Sequence, residues 1–193
     1  MKISFIGTGL MGFPMAKNLL KKNLDLKIFS RTLEKSKPLE EFGGKIINSL
    51  SKAIIDSDII FTMLTDDDAV EKVLGNSDFL KNLKPSSTVI DMSSIKPKIA
   101  IKYGKLLKEN NVNFLDAPVS GGTIGAEQGS LAIMVGGDQK TFDNAIDVLK
   151  IMGNPTLVGP IGSGQISKLA NQIIVGVTIG AVAEAITLCE KAG

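Results

Sequence analysis

The sequence contains no histidine, no tryptophan, one cysteine (Cys189) and one tyrosine (Tyr103). Without histidine, a histidine general base and every catalytic triad that uses one are excluded. With a single cysteine besides, the usual zinc ligand sets cannot be assembled, so no metal site is predicted. Leu107 stands four residues after Tyr103, which also excludes a tyrosine–lysine dehydrogenase pair. Proton transfer by this chain would therefore depend on Lys, Asp or Glu.

The low net charge and the single cysteine bear on which partners and which cellular compartment are expected. A formal net charge of only +2 gives no electrostatic reason to expect nucleic acid. One cysteine permits no intrachain disulfide, and the sequence enters a strand pattern directly, without a signal-peptide pattern. We therefore expect a cytoplasmic protein. The 193 residues, 44% of them hydrophobic, suit one domain with a sizeable core, or one domain and an appendage.

Short apolar segments alternate with helical patterns along most of the chain, which predicts an α/β fold with a Rossmann-type, doubly wound and mostly parallel sheet. Thr65 is predicted to cap the second helix, whose first turn is acidic. The predicted strands are Lys2–Ile6, Leu26–Ser30, Asp58–Leu64, Thr88–Met92, Val112–Asp116, Leu131–Val135 and Thr156–Val158. The predicted helices are 13–22, 65–74, 97–110, 138–152 and 165–191.

A glycine-rich turn, Gly7-Thr8-Gly9-Leu10-Met11-Gly12, follows the first strand and opens the first helix. This is the context in which a GxGxxG pattern indicates dinucleotide binding. Gly7 permits the tight turn, Gly9 lets the backbone approach the pyrophosphate, and Gly12 lets the helix pack close to the strand. Leu10 and Met11 lie in the same loop, where free N–H groups at the helix N-terminus attract phosphate. A glycine-rich turn without a ligand is the alternative.

The end of the second strand bears on the choice of cofactor. An NAD site usually has Asp or Glu there, whereas this chain has Ser30-Arg31-Thr32. Arg31 can pair with a 2′-phosphate, and Thr32 and Lys35 can assist, so NADP is expected and NAD remains possible. Arg31 could instead stack on the adenine of either cofactor. Met63 and Leu64 are also assigned to the cofactor site.

Further segments carry a family resemblance. They are Asp91-Met92-Ser93-Ser94, Asp116-Ala117-Pro118-Val119-Ser120-Gly121-Gly122, and Gly162-Ser163-Gly164 leading into Lys168-Leu169-Ala170-Asn171-Gln172. With the glycine loop, the chain resembles the β-hydroxyacid dehydrogenase family, which includes 3-hydroxyisobutyrate dehydrogenase. Within that family it looks most similar to the reductases of tartronate semialdehyde.

The resemblance implies roles for several residues. Lys168 matches the catalytic lysine, which polarises a carbonyl and donates a proton to its oxygen. Asn171 or Gln172 would orient the substrate, with Asn171 favoured. Ser120, Gly121 and Gly122 would form a turn that holds a substrate carboxylate. Ser94 would contact the nicotinamide ribose, and Asp116 would be structural.

The implied function is an NADP-preferring oxidoreductase that interconverts a small carboxylate-bearing aldehyde and its hydroxy acid, with tartronate semialdehyde and glycerate favoured. Glyoxylate, succinic semialdehyde and 3-hydroxyisobutyrate remain alternative substrates. A non-catalytic dinucleotide-binding module, or an inactive truncated domain, is the alternative of another class.

The long last helix permits two interpretations. Its middle, Ile173–Ile186, is apolar nearly all round, and Gly176 and Gly180 have the GxxxG spacing of membrane helices. Glu184 interrupts the run, which favours a helix that packs against another domain or subunit. We therefore divide the chain into a Rossmann domain, 1–163, and a helix, 164–193, that would lead into a C-terminal helical domain absent here. No membrane is expected, and the helix predicts a homo-oligomer.

Overall fold

The computed structural model describes all 193 residues, and it confirms the Rossmann-type α/β fold with a mostly parallel sheet. The nine strands are β1 (Lys2–Ile6), β2 (Asp25–Phe29), β3 (Lys45–Ile46), β4 (Ile59–Thr62), β5 (Thr88–Asp91), β6 (Asn113–Asp116), β7 (Val119–Ser120), β8 (Leu131–Gly136) and β9 (Gly153–Gly159).

Helices connect most of the strands, and two short 3-10 segments, Leu33–Lys35 and Lys37–Phe42, follow β2. The helices are α1 (Gly12–Leu20), α2 (Leu50–Ile54), α3 (Asp67–Leu74), α4 (Ser77–Asn82), α5 (Pro97–Glu109), α6 (Gly122–Gln128), α7 (Gln139–Leu149) and α8 (Ser163–Ala192).

The sheet has the order β3-β2-β1-β4-β5-β6-β8-β7, and β9 pairs with β8. The six strands from β3 to β6 are parallel, whereas β8 runs antiparallel to β6 and β7. The chain winds outward from β1 in both directions, so the order reverses beside β1. Ligands of open α/β sheets bind at this position, outside the carboxyl ends of the strands.

Hydrophobic side chains cover both faces of the sheet, because successive residues of a strand point to opposite faces. Phe5 and Phe61 pack into one core with helices α1, α6 and α7. Ile6 and Ile60, their neighbours in sequence, pack into the other core with α2, α3, α4 and α5. A buried sheet of this kind fixes where its strands end, and therefore where the loops that follow them meet.

The structure corrects several local predictions. Asp66, not Thr65, caps α3, since its Oδ1 accepts from the N–H of Ala69 at 2.8 Å. Ser120 lies in β7 and Gly122 begins α6, so the predicted turn is a strand–helix junction. The sequence patterns also missed α2, α4 and α6, whose 5 to 7 residues are too short for a clear helical period.

Helix α8 changes character along its length. Its first turn packs on the sheet, and Gly164 and Gln165 are its buried residues. From Gln172 onwards every side chain is exposed. By length and composition α8 could cross a membrane, which is weak evidence because core helices of soluble proteins meet the same criterion. The division at residue 163 stays a prediction.

Candidate functional site: a dinucleotide cleft beside a lysine-bearing helix

The glycine loop connects β1 to α1 and is shaped by close backbone contacts. Gly7 has a φ of 98°, in the left-handed region, and a Cβ there would overlap the carbonyl oxygen of Met63. A Cβ at Gly12 would overlap the carbonyl oxygen of Gly7. At Gly9 a Cβ would meet nothing within 4 Å, so this part of the loop borders open space. The loop is therefore rigid on its protein side and open on the other.

The loop end that leads into α1 offers unpaired backbone donors. The N–H groups of Leu10, Met11 and Gly12 meet no protein acceptor, and the N-cap residue Met11 contributes no side-chain cap. Unpaired N–H groups and the positive end of the helix dipole attract phosphate. This loop fits a dinucleotide pyrophosphate on its geometry alone.

A cleft opens beside the loop, between the ends of β1, β2 and β4 and the helix α3. Its charged side chains are the three cations Arg31, Lys35 and Lys72, and none of them forms an ion pair in the structure. The structure brings these predicted cofactor residues to the cleft: Gly7, Gly9, Ser30, Arg31, Thr32, Lys35, Met63 and Leu64.

Two residues of this region were not predicted. Lys72, on α3, lines the cleft together with Arg31. Thr8 is buried, and its hydroxyl lies 2.7 Å from that of Ser36, which ties the glycine loop to the segment carrying Lys35. The carboxylate of Asp66 lies near these cations. Its pKa is lowered chiefly by the hydrogen bond from the N–H of Ala69, and the charges of Lys72 and Arg31 lower it further.

A polar network closes the carboxyl end of β5. Asp91 is buried, and its Oδ1 accepts from the hydroxyls of Thr62 at 2.7 Å and Ser93 at 2.6 Å. The Ser93 hydroxyl in turn accepts from the N–H of Leu64 at 2.9 Å. Burial is the main cause that raises the pKa of Asp91 to about 6, and Asp116 adds a like charge. Asp91 Oδ2 has no hydrogen-bond partner.

Ser94 follows this network and is exposed at the edge of the sheet, in a depression separate from the cleft beside the glycine loop. It borders Thr65 and the acidic start of α3, Asp66–Asp68. The structure therefore places Ser94 at the edge where ligands of α/β sheets bind, but not among the residues that line the cleft.

The start of α8 carries the predicted catalytic group. Lys168 is half-buried, and burial lowers the pKa of its ammonium group below the ordinary value. Its Nζ donates to Gln172 Oε1 at 2.9 Å. Asn171 Nδ2 donates to Ser120 Oγ at 3.0 Å, which joins the helix to the predicted carboxylate loop. The two amides also contact each other, since Asn171 Nδ2 donates to Gln172 Oε1 at 3.3 Å.

The junction after β7 offers backbone donors near Asn171. Gly121 and Gly122 have positive φ values of 133° and 62°. Their N–H groups meet no protein acceptor, and a Cβ at Gly122 would meet nothing within 4 Å. Consecutive free N–H groups in such a conformation form a concave site for an anionic oxygen.

Residues that anchor α8 were not predicted as part of the site. The buried Gln165 and Asp116 connect the first turn of α8 to the ends of β5 and β6. No sequence pattern distinguishes this glutamine from a solvated residue in a first turn. The Asp-Met-Ser-Ser segment at the end of β5 did signal its edge position, although not its hydrogen bonds.

Comparisons with known proteins agree with this geometry. Residues 2–166 match the family described as the NAD binding domain of 6-phosphogluconate dehydrogenase. The chain is 42% identical to 2-hydroxy-3-oxopropionate reductase of Escherichia coli, over 100% of this chain and 66% of that protein. An uncharacterized oxidoreductase of Synechocystis is 41% identical, over 100% of this chain and 68% of its own length.

A solved structure resembles the whole chain. The 3-hydroxyisobutyrate dehydrogenase of Mycobacterium tuberculosis superposes with a TM-score of 0.94 at 34% identity. The match covers 100% of this chain and 66% of that one. The chain thus spans about two thirds of the length of its relatives, and the matched part includes α8.

Proposed function

The chain belongs to the β-hydroxyacid dehydrogenase family of NAD(P)-dependent oxidoreductases, and we propose that it prefers NADP and reduces a small carboxylate-bearing aldehyde to its hydroxy acid. The observation that carries the proposal is the contact of Lys168 with Gln172 on the same helix as the Asn171–Ser120 pair. A proton donor and a candidate carboxylate site thereby lie side by side.

The charge of the cleft supports the NADP preference. A 2′-phosphate carries nearly two negative charges at neutral pH, and Arg31, Lys35 and Lys72 line the cleft without carboxylate partners. No Asp or Glu ends β2, so the usual acceptor for the ribose hydroxyls of NAD is missing. The guanidinium of Arg31 matches phosphate geometry through paired N–H donors.

The proposed chemistry needs one hydride and one proton. NADPH supplies the hydride when bound. Lys168 donates a hydrogen bond to the aldehyde oxygen, polarises the carbonyl and passes its proton to that oxygen as the carbon gains the hydride. A pKa below the ordinary value makes this ammonium a better acid near neutral pH. Lys168 then regains a proton from solvent.

The remaining polar groups would bind and orient the substrate. The free N–H groups of Gly121 and Gly122, with the Ser120 hydroxyl, would hold the carboxylate. Asn171 would orient the substrate from α8, because its amide already contacts Ser120 at 3.0 Å. Gln172 would act as a positioning residue, since its oxygen holds the ammonium of Lys168 at 2.9 Å.

Tartronate semialdehyde is the proposed substrate, with glycerate as product. The name of the Escherichia coli relative supports this choice. Glyoxylate, succinic semialdehyde and 3-hydroxyisobutyrate remain alternatives, since small differences in apolar contacts change specificity by only about 1–3 kcal/mol. All of them carry a carboxylate in addition to the reacting aldehyde or alcohol group.

The decisive test is consumption of NADPH and NADH by this chain with tartronate semialdehyde and each alternative aldehyde. We expect turnover with NADPH to exceed that with NADH. Cofactor binding is titrated in parallel, so that a chain that binds NADP+ without turnover is recognised. That result would contradict catalysis by this chain and would favour a non-catalytic dinucleotide-binding module.

The exposed apolar side chains of α8 support a second proposal, that two copies of the chain associate through this helix. Ile173, Val177 and Leu188 are each about two-thirds exposed, at 68%, 67% and 70%. Contiguous exposed apolar surface of this kind usually marks an interaction site. We expect a dimer by sedimentation at micromolar concentration without detergent, and a monomer for Val177→Asp. A strictly monomeric wild-type chain would contradict it.

We further propose a cytoplasmic location without membrane or nucleic-acid partners.

A further inference from the structure

Gln165 is a buried polar residue to which the proposed chemistry assigns no role. It lies in the first turn of α8 and is only 1% exposed. Its Nε2 donates to the carbonyl oxygen of Ser93 at 2.8 Å, and its Oε1 accepts from the N–H of Ile95 at 3.0 Å. Burying an amide is unfavourable unless both its ends are paired, so these bonds fix the side chain in one place.

The two backbone groups that Gln165 binds belong to the residues on either side of Ser94. Ser93 and Ile95 are buried, while Ser94 between them is exposed. The side-chain amide therefore pairs with one backbone carbonyl and one backbone N–H of the loop, as the backbone of a neighbouring strand would. These two bonds hold the backbone of Ser94 at the edge of the sheet. The loop after β5 and the first turn of α8 are consequently one unit, although 70 residues separate Ile95 from Gln165.

Asp116 fixes the same turn of α8 from the other side. Its Oδ1 accepts from the N–H of Gly162 at 2.6 Å, and its Oδ2 accepts from the N–H of Gln165 at 2.9 Å. A Cβ at Gly164 would come within 2.8 Å of Asp116 Oδ2, so the carboxylate packs directly on the helix backbone. With its start held by β5 and β6, α8 cannot shift along its axis without breaking buried hydrogen bonds.

Lys168 lies one turn beyond Gln165 on the anchored part of α8. We propose that Gln165 is a positioning residue that sets the sheet edge at Ser94, on the nicotinamide side of the site, relative to the proton donor Lys168. This inference rests on the proposed function and on the role that the family resemblance implies for Ser94, contact with the nicotinamide ribose. Gln165 touches neither cofactor nor substrate and acts through the backbone of residues 93–95.

The test compares the whole dinucleotide with its adenosine half. NADP+ would reach both the cleft at Arg31 and the edge at Ser94, whereas 2′,5′-ADP would occupy only the cleft. Gln165→Met keeps the length of the side chain and removes both hydrogen bonds. We expect it to weaken NADP+ on the order of tenfold, because binding must then order about one loop residue. The affinity for 2′,5′-ADP should change by less than about twofold.

Calorimetric titration of both ligands provides the readout, and Gln139→Met is the matched control on the exposed surface of α7. Gln165→Glu serves as a second variant if the methionine variant does not fold. Its carboxylate retains the acceptor for Ile95 but cannot donate to Ser93, so we expect NADP+ again to weaken more than 2′,5′-ADP.

Equal weakening of both ligands, or no change in either, would overturn the positioning role and leave Gln165 as a stabilising residue only. A wild-type chain that fails to bind NADP+ would instead overturn the proposed function, and this inference with it. The two failures are thus distinguished by the wild-type titration alone.

Discussion

Helices α1 and α8 begin in similar ways and differ in what occupies their N-termini. A glycine in the left-handed region precedes each, Gly7 with φ 98° and Gly162 with φ 95°. At the start of α1 the N–H groups of Leu10, Met11 and Gly12 have no protein acceptor. At α8 the carboxylate of Asp116 accepts from the N–H groups of Gly162, at the N-cap, and Gln165, in the first turn. One helix end is therefore open to a phosphate, and the other is closed by the protein's own anion.

The difference teaches that a glycine turn before a helix does not by itself make a ligand site. The open end suits an anionic ligand because its donors remain unpaired. The closed end gives a fixed origin for the helix that carries Lys168. We assign binding to the start of α1 and chemistry to the start of α8, and this division makes predictions for single substitutions.

Lys168→Ala should produce the largest effect and should affect only the α8 side. We expect turnover to fall by about 10²–10⁴-fold, the usual contribution of a positioned proton donor, with NADP+ affinity nearly unchanged. Steady-state kinetics and calorimetric titration measure the two quantities. Lys191→Ala, on the exposed end of α8, is the control. Full turnover of Lys168→Ala would refute the proposed mechanism and the division between the two helices.

Asp91→Asn should change how the free energy of unfolding depends on pH. The pKa of Asp91 is raised to about 6 in the folded chain, from an ordinary value of 3.8. The folded state therefore binds the carboxyl proton of Asp91 more tightly than the unfolded state does. This tighter binding stabilises the folded state at low pH, and the stabilisation is lost as the pH rises from about 4 to 6. The loss should reach up to about 3 kcal/mol and stay constant above pH 6.

Urea denaturation at several pH values measures this effect. The free energy of unfolding of the wild type, minus that of Asp91→Asn, should decrease between pH 4 and 6. Asp147→Asn, exposed on α7, is the matched control variant. A parallel pH dependence for the wild type and Asp91→Asn would contradict the assignment.

Arg31→Ala should weaken cofactor binding near α1 and leave the chemistry at α8 unchanged. The loss of affinity should be larger for NADP+, whose ribose carries a phosphate, than for NAD+. We expect NADP+ affinity to fall on the order of 10- to 100-fold, the value of paired charge-assisted hydrogen bonds, and NAD+ affinity by less than about threefold. Tryptophan is absent, so calorimetry is the suitable measurement. An equal loss for NAD+ would indicate that Arg31 stacks on the adenine instead.

Lys72→Ala should give the smallest effect, because an exposed ammonium interacts with phosphate through solvent. We expect NADP+ affinity to fall about two- to fivefold, with NAD+ affinity unchanged. Lys140→Ala, exposed on α7 and outside the cleft, is the matched control. If the control weakened NADP+ as much as Lys72→Ala, net charge rather than position would explain the effect.

Much of the fold was accessible from local patterns. The predicted bounds of β1 agree with the structure, and the predicted start of α5 at Pro97 is its first residue. Alternating apolar segments and helical periods depend on neighbouring residues, so they are readable from a sequence. The short α6 was missed because Gly122, Gly125 and the flanking Gly129 give it low helix propensity, and it forms where Ala126 is buried in the core.

The sequence by itself determined the sheet class, the glycine loop and the absence of histidine chemistry, because each follows from residue type and short-range spacing. Only the tertiary structure decided which helix end is open. Asp116 reaches Gly162 across 46 positions, and Gln165 reaches Ser93 across 72. No local pattern encodes such pairings, since packing of the whole sheet brings these residues together before their buried polar groups can find one another.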